Sequence, residues 1–532
     1  MEWTKGWRDR TWQQLDRKWD VIIIGGGITG AGILHQCSVA GLKTLLLEAG
    51  DFASGTSSRS SKLVHGGMRY LKNAQVRVTF ESVTEREYLL RQGRGLINRL
   101  GFLYACLPGD KMPGWVFGAG LTVYDLMARQ WSHRSYDSED LRELCPPLGD
   151  TDLRGGFRFF DANTDDARLV LRLLRESTVK ENALALNYAR VETLLKTKDG
   201  QVCGVVVQDT SAGSDPPKQM EVRGRVVINA TGAWADRLRS QVGKRPVLRP
   251  LRGSHLVLPC RRLPLTRAVT FLHPADGRPV FAIPWEGVVI FGTTDVDQGD
   301  DLVTDPVISQ AEAEYLLSGL QKVFPRQELT FADVQSTYSG IRPVIDTGKA
   351  DPSKESREHI IWDENGLLTV SGGKLTTFRV MARDALKAAR RHLGPIRFDP
   401  SIPVLEPLGP ETEQLLSDCR LPANLTLRLL ARYGVPAASA LCSQAAADLE
   451  FIPDTPYLWG ELRQAARLEA VTHLDDLLLR RVRLGFILPN GGMNQMARIR
   501  SLVQPELGWD DSHWQAEVAS YQELWKRAYH LQ

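Results

Sequence analysis

The sequence predicts an α/β protein in which a discontinuous, Rossmann-like nucleotide-binding domain carries an antiparallel β-sheet domain and is followed by an α-helical C-terminal domain. Three observations lead there. A short β-branched run, Asp20-Val21-Ile22-Ile23-Ile24, passes directly into Gly25-Gly26-Gly27-Ile28-Thr29-Gly30. Two more strand-like runs far downstream, 225–230 and 367–371, also end in glycine turns, at Thr231-Gly232 and Gly372-Gly373. Prolines between Pro400 and Pro410 then punctuate the chain before a last segment that lacks strand signals.

The first element is the most specific. A short, bounded, β-branched run suits a strand buried on both faces. Gly25, Gly27 and Gly30 match GxGxxG, residues 31–40 read as a helix, and 41–47 read as a second strand ending at Glu48. Gly25 makes the tight turn, Gly27 admits a pyrophosphate to the backbone, and Gly30 lets helix and strand pack closely. The free N–H groups at the helix start attract phosphate. Glu48 is placed to accept hydrogen bonds from a ribose and disfavours a 2′-phosphate.

Directly after Glu48 the stretch 51–71 is dense in hydroxyls and glycines, with Thr56, Ser57, Ser58, Lys62, His65, Gly66, Gly67 and Arg69. Such a chain suits a crossing beside a cofactor: hydroxyls for phosphate and ribitol, glycines for a flat ring. The strand 225–230 ends in Ala-Thr-Gly at Gly232, a recurrent feature of flavoproteins that bind two dinucleotides. Gly372-Gly373-Lys374-Leu375-Thr376 opens a helix through about residue 392, where outward N–H groups favour an anion such as the N1/C2=O edge of a reduced flavin. Three separated segments make FAD the expected cofactor. In the middle piece, the backbone of Val191 is expected near adenine.

Composition sets the limits. At 532 residues and 59.3 kDa, two or three domains are expected. Sixty-six basic against 63 acidic residues leave a net charge of +3, too little to argue for nucleic acid. Seven cysteines without a CxxC pair suit reduced thiols in a cytoplasmic compartment better than a disulfide framework or a metal site. No apolar run of about 18 residues predicts a spanning helix, and the first 20 residues lack the core of a signal peptide. Those residues instead mix Trp3, Trp7, Trp12 and Trp19 with Lys5, Arg8, Arg10, Arg17 and Lys18. Two readings stand: an arm docked on its own domain, or a helix lying in a membrane interface.

Together, 56–71 (TSSRSSKLVHGGMRYL), 165–171 (DDARLVL), 229–234 (NATGAW), 252–259 (RGSHLVLP), 281–287 (FAIPWEG), 292–295 (GTTD), 338–344 (YSGIRPV) and 371–377 (SGGKLTT) closely resemble the flavin-linked glycerol-3-phosphate dehydrogenases, in that family's order. The segment 472–481 (THLDDLLLRR) looks like its small helical C-terminal domain. The resemblance implies a D-amino-acid-oxidase-like fold and oxidation of sn-glycerol 3-phosphate to dihydroxyacetone phosphate, with FAD accepting a hydride and a membrane quinone taking the electrons. It also implies a cytoplasmic protein held peripherally on the inner face of the cell membrane.

A phosphate dianion needs concentrated positive charge, which Arg342, Lys374 and Arg69 supply; arginine suits bidentate contact and lysine acts as a point charge. Losing the C2 hydroxyl proton needs a base. Arginine is too weak a base, so His255 is the candidate, with Arg342 beside it in the catalytic pair. Trp285 and Thr293 are expected to line the substrate pocket. The expected division is an arm at 1–18, an FAD-binding domain at 19–90, 150–235 and 336–395, a substrate domain at 91–149 and 240–335, and the helical domain at 400–532. That last domain has no catalytic motif, so scaffolding or homodimer contact is its expected role. Three other readings stay open: oxygen as the acceptor, an amino-acid or hydroxy-acid substrate, and a non-catalytic flavoprotein.

Overall fold

Two large sheets lie side by side, and the crevice between them is where the loops of interest converge. The computed structural model describes residues 3–67, 75–110, 113–211, 217–299, 302–349, 355, 358–399, 401–409, 412, 414–415, 419 and 421–531. The first sheet runs Ile360–Glu364, Leu367–Ser371, Gln219–Asn229, Trp19–Ile24, Thr44–Leu47, Ala183–Leu186. Its inner pairings are parallel, with Ile22 opposite both Val227 and Leu45. Val21, Ile22 and Ile23 are fully buried, as a β-branched strand covered on both faces must be. Helices Ile28–Val39, Asp166–Thr178 and Phe378–Leu393 pack together on this sheet. An antiparallel pair, Ala189–Lys196 with Val202–Asp209, extends from the first half of Gln219–Asn229.

The second sheet contains ten strands, antiparallel except where Ala268–Leu272 runs parallel to Ile97–Ala105. At its heart Leu248–Pro259 pairs with both Val288–Gly292 and Ser336–Ile345. Three segments expected in the nucleotide-binding domain are strands of this sheet instead: Leu63–Val64, Gly156–Thr164 and Ser336–Ile345. Strand-forming sequence states that a segment pairs, but its partner is set by the register of distant chain. This pairing carries Arg342 opposite Leu251 and Tyr338 opposite His255.

Beyond residue 421 the chain is helical, from Ala423–Tyr433 to Asp511–Ala528. A π-helical turn, Asp476–Arg481, packs against the helix Asp166–Thr178. The arginines of this turn and Arg483 just after it are buried: Arg480 and Arg481 both reach Asp51, and Arg483 reaches Asp165 at 3.0 Å and also Asp166. The helical domain is therefore keyed into the nucleotide-binding part by charge as well as by apolar packing.

One expectation changes here, and one choice between two readings is decided. Cys419 and Cys442 form a disulfide within the helical domain, whereas the other five cysteines are free. The two lie 23 residues apart, a spacing that carries no disulfide signature. The N-terminal arm is docked: Trp3, Trp7, Trp12 and Trp19 are each at most 7% exposed, and Trp3 stacks on Phe52 with centroids 5.3 Å apart. Arg8 ties the arm to Asp209 at 2.7 Å. Tryptophans spent on the core are not offered to a bilayer, so the arm does not serve as a membrane helix. No helix among the described residues is long and apolar enough to cross a membrane.

Candidate active site

A cavity of about 1740 Å³ opens along the carboxyl ends of the parallel strands and continues over the second sheet. Small-ligand pockets run from about 300 to 1,000 Å³, so this one has room for a dinucleotide and a substrate together. Carboxyl ends of parallel strands are where an open α/β sheet binds its ligand.

The nucleotide end is built by glycine. A Cβ on Gly30 would stand 1.9 Å from the carbonyl oxygen of Gly25, so only glycine lets the helix start this close to the strand. Gly25, Gly27, Glu48 and Gly232 line the cavity. Glu48 accepts from Gly26 N at 2.6 Å and from Gly50 N at 2.9 Å, which fixes the carboxylate at the end of its strand. Burial pushes its pKa up while those two N–H groups pull it down. Ser57 Oγ accepts from Ile28 N at 2.9 Å at the helix entrance, and Val191 lies farther along the wall. Thr56, His65 and Gly67 border the middle of the cavity, with Gly372, Gly373, Lys374, Leu375 and Thr376 lining it too. The two segments are tied: Thr376 Oγ1 accepts from His65 N and donates to His65 O, both at 3.1 Å. These glycine-lined turns and free strand ends fit an extended dinucleotide and a flat ring.

The second sheet supplies the polar substrate end. His255, Thr293, Arg342 and Lys374 share the cavity. Arg342 Nη1 pairs with Asp295 at 2.7 Å and Nη2 donates to Thr293 Oγ1 at 2.9 Å. Gly253 admits this arrangement, since a Cβ there would stand 2.3 Å from Arg342 Nη2. The loop bearing Thr293 is held from behind: Glu312 accepts from Thr294 Oγ1 at 2.7 Å and Ser254 Oγ at 2.8 Å. Lys374 donates to Ser82 Oγ from the other side. His255 Nε2 meets Ser61 Oγ at 2.8 Å, and its ring stacks on Tyr338 with centroids 4.6 Å apart. Burial, then Arg342 and Lys62, hold its pKa well below the ordinary imidazole value, so the ring is neutral near pH 7 with a lone pair to accept a proton.

Not every expected residue lies on the cavity. Lys62 is buried, its Nζ 2.9 Å from Asp166 and 2.6 Å from Ser58 O, with its pKa pulled down by burial to about 8. Asp165 and Asp166, at the start of the helix Asp166–Thr178, claim that charge in place of a cofactor phosphate. Ser58 turns inward with it. Gly66 lies behind the wall, its N–H donating to Tyr124 OH at 2.9 Å. Trp285 shares a strand face with the cavity-lining Phe281, but four residues carry it roughly 13 Å farther along. There it is buried against the helical domain, its Nε1 donating to Thr164 O. Arg69 falls outside the described residues. Ser61 and Asp295 lie inside the quoted motifs SSKL and GTTD, yet sequence reasoning did not single them out. Nothing in the sequence flagged Arg278, which also lines the cavity.

Comparison with known proteins agrees with this geometry. Residues 20–383 match the FAD dependent oxidoreductase family, and residues 408–514 match the C-terminal domain of alpha-glycerophosphate oxidase. A Mycobacterium bovis protein named glycerol-3-phosphate dehydrogenase 2 is 35% identical over 531 residues, covering 96% of this chain and 88% of that one. An aerobic glycerol-3-phosphate dehydrogenase of Staphylococcus haemolyticus is 37% identical over 384 residues, 71% of this chain and 68% of that one. The structure of the Bacillus halodurans glycerol-3-phosphate dehydrogenase complexed with FAD superposes with a TM-score of 0.79 at 27% identity, covering 99% of this chain and 98% of that one. With nucleotide turns, substrate sheet and helical domain all matched over nearly the whole length, the chain belongs to the FAD-dependent oxidoreductases, in the family of the glycerol-3-phosphate dehydrogenases and oxidases.

Proposed function

We propose that the protein oxidises sn-glycerol 3-phosphate to dihydroxyacetone phosphate and delivers the electrons to a quinone at a membrane surface. One observation carries the reading: Arg342, Lys374 and the neutral His255 border the same cavity as the dinucleotide turns. Bound FAD supplies the hydride acceptor. Arg342, aligned by Asp295 and Thr293, and Lys374 hold the phosphate dianion. His255 takes the C2 hydroxyl proton, its ring oriented by Ser61 and by the stack on Tyr338. Thr376 and Gly67 would hold the ring portion of the cofactor, and Gly25, Gly27 and Glu48 would hold its adenosine half.

The acceptor reading rests on the cavity's apolar side. Val116, Phe117 and Val123 of the helix Gly114–Ala128 line it with Phe102, Tyr104 and Phe159. Outside, Trp115 is 76%, Trp131 71% and Leu126 65% exposed, an amphipathic face suited to the boundary of a bilayer. A lipophilic quinone fits an apolar wall that leads from such a face toward the ring.

Anaerobic mixing with glycerol 3-phosphate tests the first half: loss of oxidised-flavin absorbance is expected, and glycerol should be far less effective. For the second half, a ubiquinone or menaquinone analogue should reoxidise the protein much faster than oxygen. Stoichiometric peroxide at a rate above that of quinone overturns the quinone reading and leaves an oxidase.

A further inference from the structure

We propose that Arg278 is a second guanidinium of the phosphate subsite, yoked to Arg342 through Asp295. The proposal rests on the reading above that the substrate carries a phosphate. Asp295 is almost wholly buried and divides its two oxygens between the arginines. Oδ1 lies 2.7 Å from Arg342 Nη1, and Oδ2 lies 3.2 Å from Arg278 Nη2. One carboxylate therefore sets two guanidiniums side by side, and the trio keeps a net positive charge. Both arginines line the cavity, with side chains 23% and 24% exposed against 1% for Asp295. Other arginines, such as Arg249 on Glu355, also stay partly exposed over a hidden acid; Arg278 and Arg342 differ in that both border the cavity. Here the anion is hidden and the cations are left at the wall.

The backbone supports this placement. Arg278 sits at the start of the strand Pro279–Trp285, after Gly277 with φ +73°. Its N–H donates to Asp276 Oδ1 at 3.0 Å, and its carbonyl accepts from His273 N at 2.7 Å. Asp276 also borders the cavity, but its carboxylate is engaged by that N–H and by Tyr315 OH at 3.1 Å. Arg278 is thus anchored on a turn, and its guanidinium is ion-paired with Asp295. Two forks on one phosphate discriminate a dianion from the neutral alcohol more sharply than one fork with a lysine. Asp295 acts as a positioning residue for both.

The test uses the FAD-loaded full chain. Arg278→Gln should raise KM for glycerol 3-phosphate roughly 10- to 100-fold, as loss of a charge-assisted bond implies, while kcat falls much less. The inhibition constant of inorganic phosphate should rise in parallel. Arg278→Lys should recover part of both. If the Gln variant loses its flavin, the Lys variant decides: a rise of at least about threefold is expected, and an unchanged KM overturns the proposal. A wild-type KM and phosphate inhibition in Arg278→Gln overturn it outright, while wild-type flavin that glycerol 3-phosphate does not reduce defeats the underlying functional reading as well.

Discussion

Replacing Arg481 by methionine should weaken flavin binding, although this residue lies in the helical domain and touches no part of the cavity. Arg481 is fully buried; both terminal nitrogens reach Asp51, Nη2 at 2.7 Å, and Nε donates to Glu469 O at 2.9 Å. Asp51 stands three residues past Glu48, on the turn whose Gly50 N–H holds the Glu48 carboxylate. Burial alone would push the Asp51 pKa up, but Arg481 and Arg480 outweigh it and hold it at about 2. Methionine fills the space and removes the charge, leaving Asp51 with Arg480 and Asn187. Breaking a buried pair from one side costs about 3–5 kcal/mol, a large part of a stability of about 5–15 kcal/mol. If about 3 kcal/mol of this falls on the turn that carries Glu48, FAD affinity drops roughly 100-fold. Fluorescence titration of FAD and thermal melts with and without it measure both effects. The double variant Asp51→Asn with Arg481→Met removes the carboxylate that Arg480 would otherwise have to compensate alone, and should recover much of the loss. Wild-type FAD affinity and Tm in Arg481→Met would refute the claim that the helical domain braces the nucleotide site.

Four other outcomes follow from contacts and exposures described above. Gly30→Ala places a Cβ 1.9 Å from Gly25 O, so the helix start must move and the purified protein should be colourless; a fully flavinated variant contradicts the assignment. His255→Asn should slow anaerobic flavin bleaching about 100-fold or more, with phosphate inhibition little changed. Because the folded pKa of His255 lies well below 6.5, the ring stays neutral as pH falls through that value, and kcat at saturating substrate, into which the free substrate's own phosphate ionisation at about pH 6 does not enter, should stay flat from pH 8 to 6. A decline centred near pH 6.5 argues against His255 as the base. Trp115→Ser with Leu126→Ser should cut cosedimentation with anionic vesicles several-fold and leave reduction by glycerol 3-phosphate intact; equal cosedimentation removes this face as the contact.

How far the sequence speaks depends on whether the needed information is local. The strand, turn, helix and acid from Asp20 to Glu48 are contiguous, and each residue's task follows from its immediate neighbours, so that part of the fold was legible. Gly372-Gly373 and Gly232 were legible for the same reason. Charge was harder. Lys62 has the composition of a phosphate ligand, yet Asp166, over a hundred residues away, takes it into the core. Trp285 was misjudged because a strand's period gives its face and not how far along that face the cavity extends. The arm's tryptophans left both the docked and the membrane-bound reading open, since both environments ask for the same residues, and Phe52 and the neighbouring core decide for docking. The partner of Ser336–Ile345, the Cys419–Cys442 link and the Arg278–Asp295–Arg342 trio are all pairings between distant segments, which no periodicity encodes.

The most direct measurement is stopped-flow absorbance of the flavinated protein mixed without oxygen with glycerol 3-phosphate. A cavity with Arg342, Lys374 and neutral His255 at one wall predicts rapid, saturable loss of the oxidised-flavin band, suppressed by inorganic phosphate. A band that persists at high substrate concentration, or that glycerol removes equally well, contradicts it.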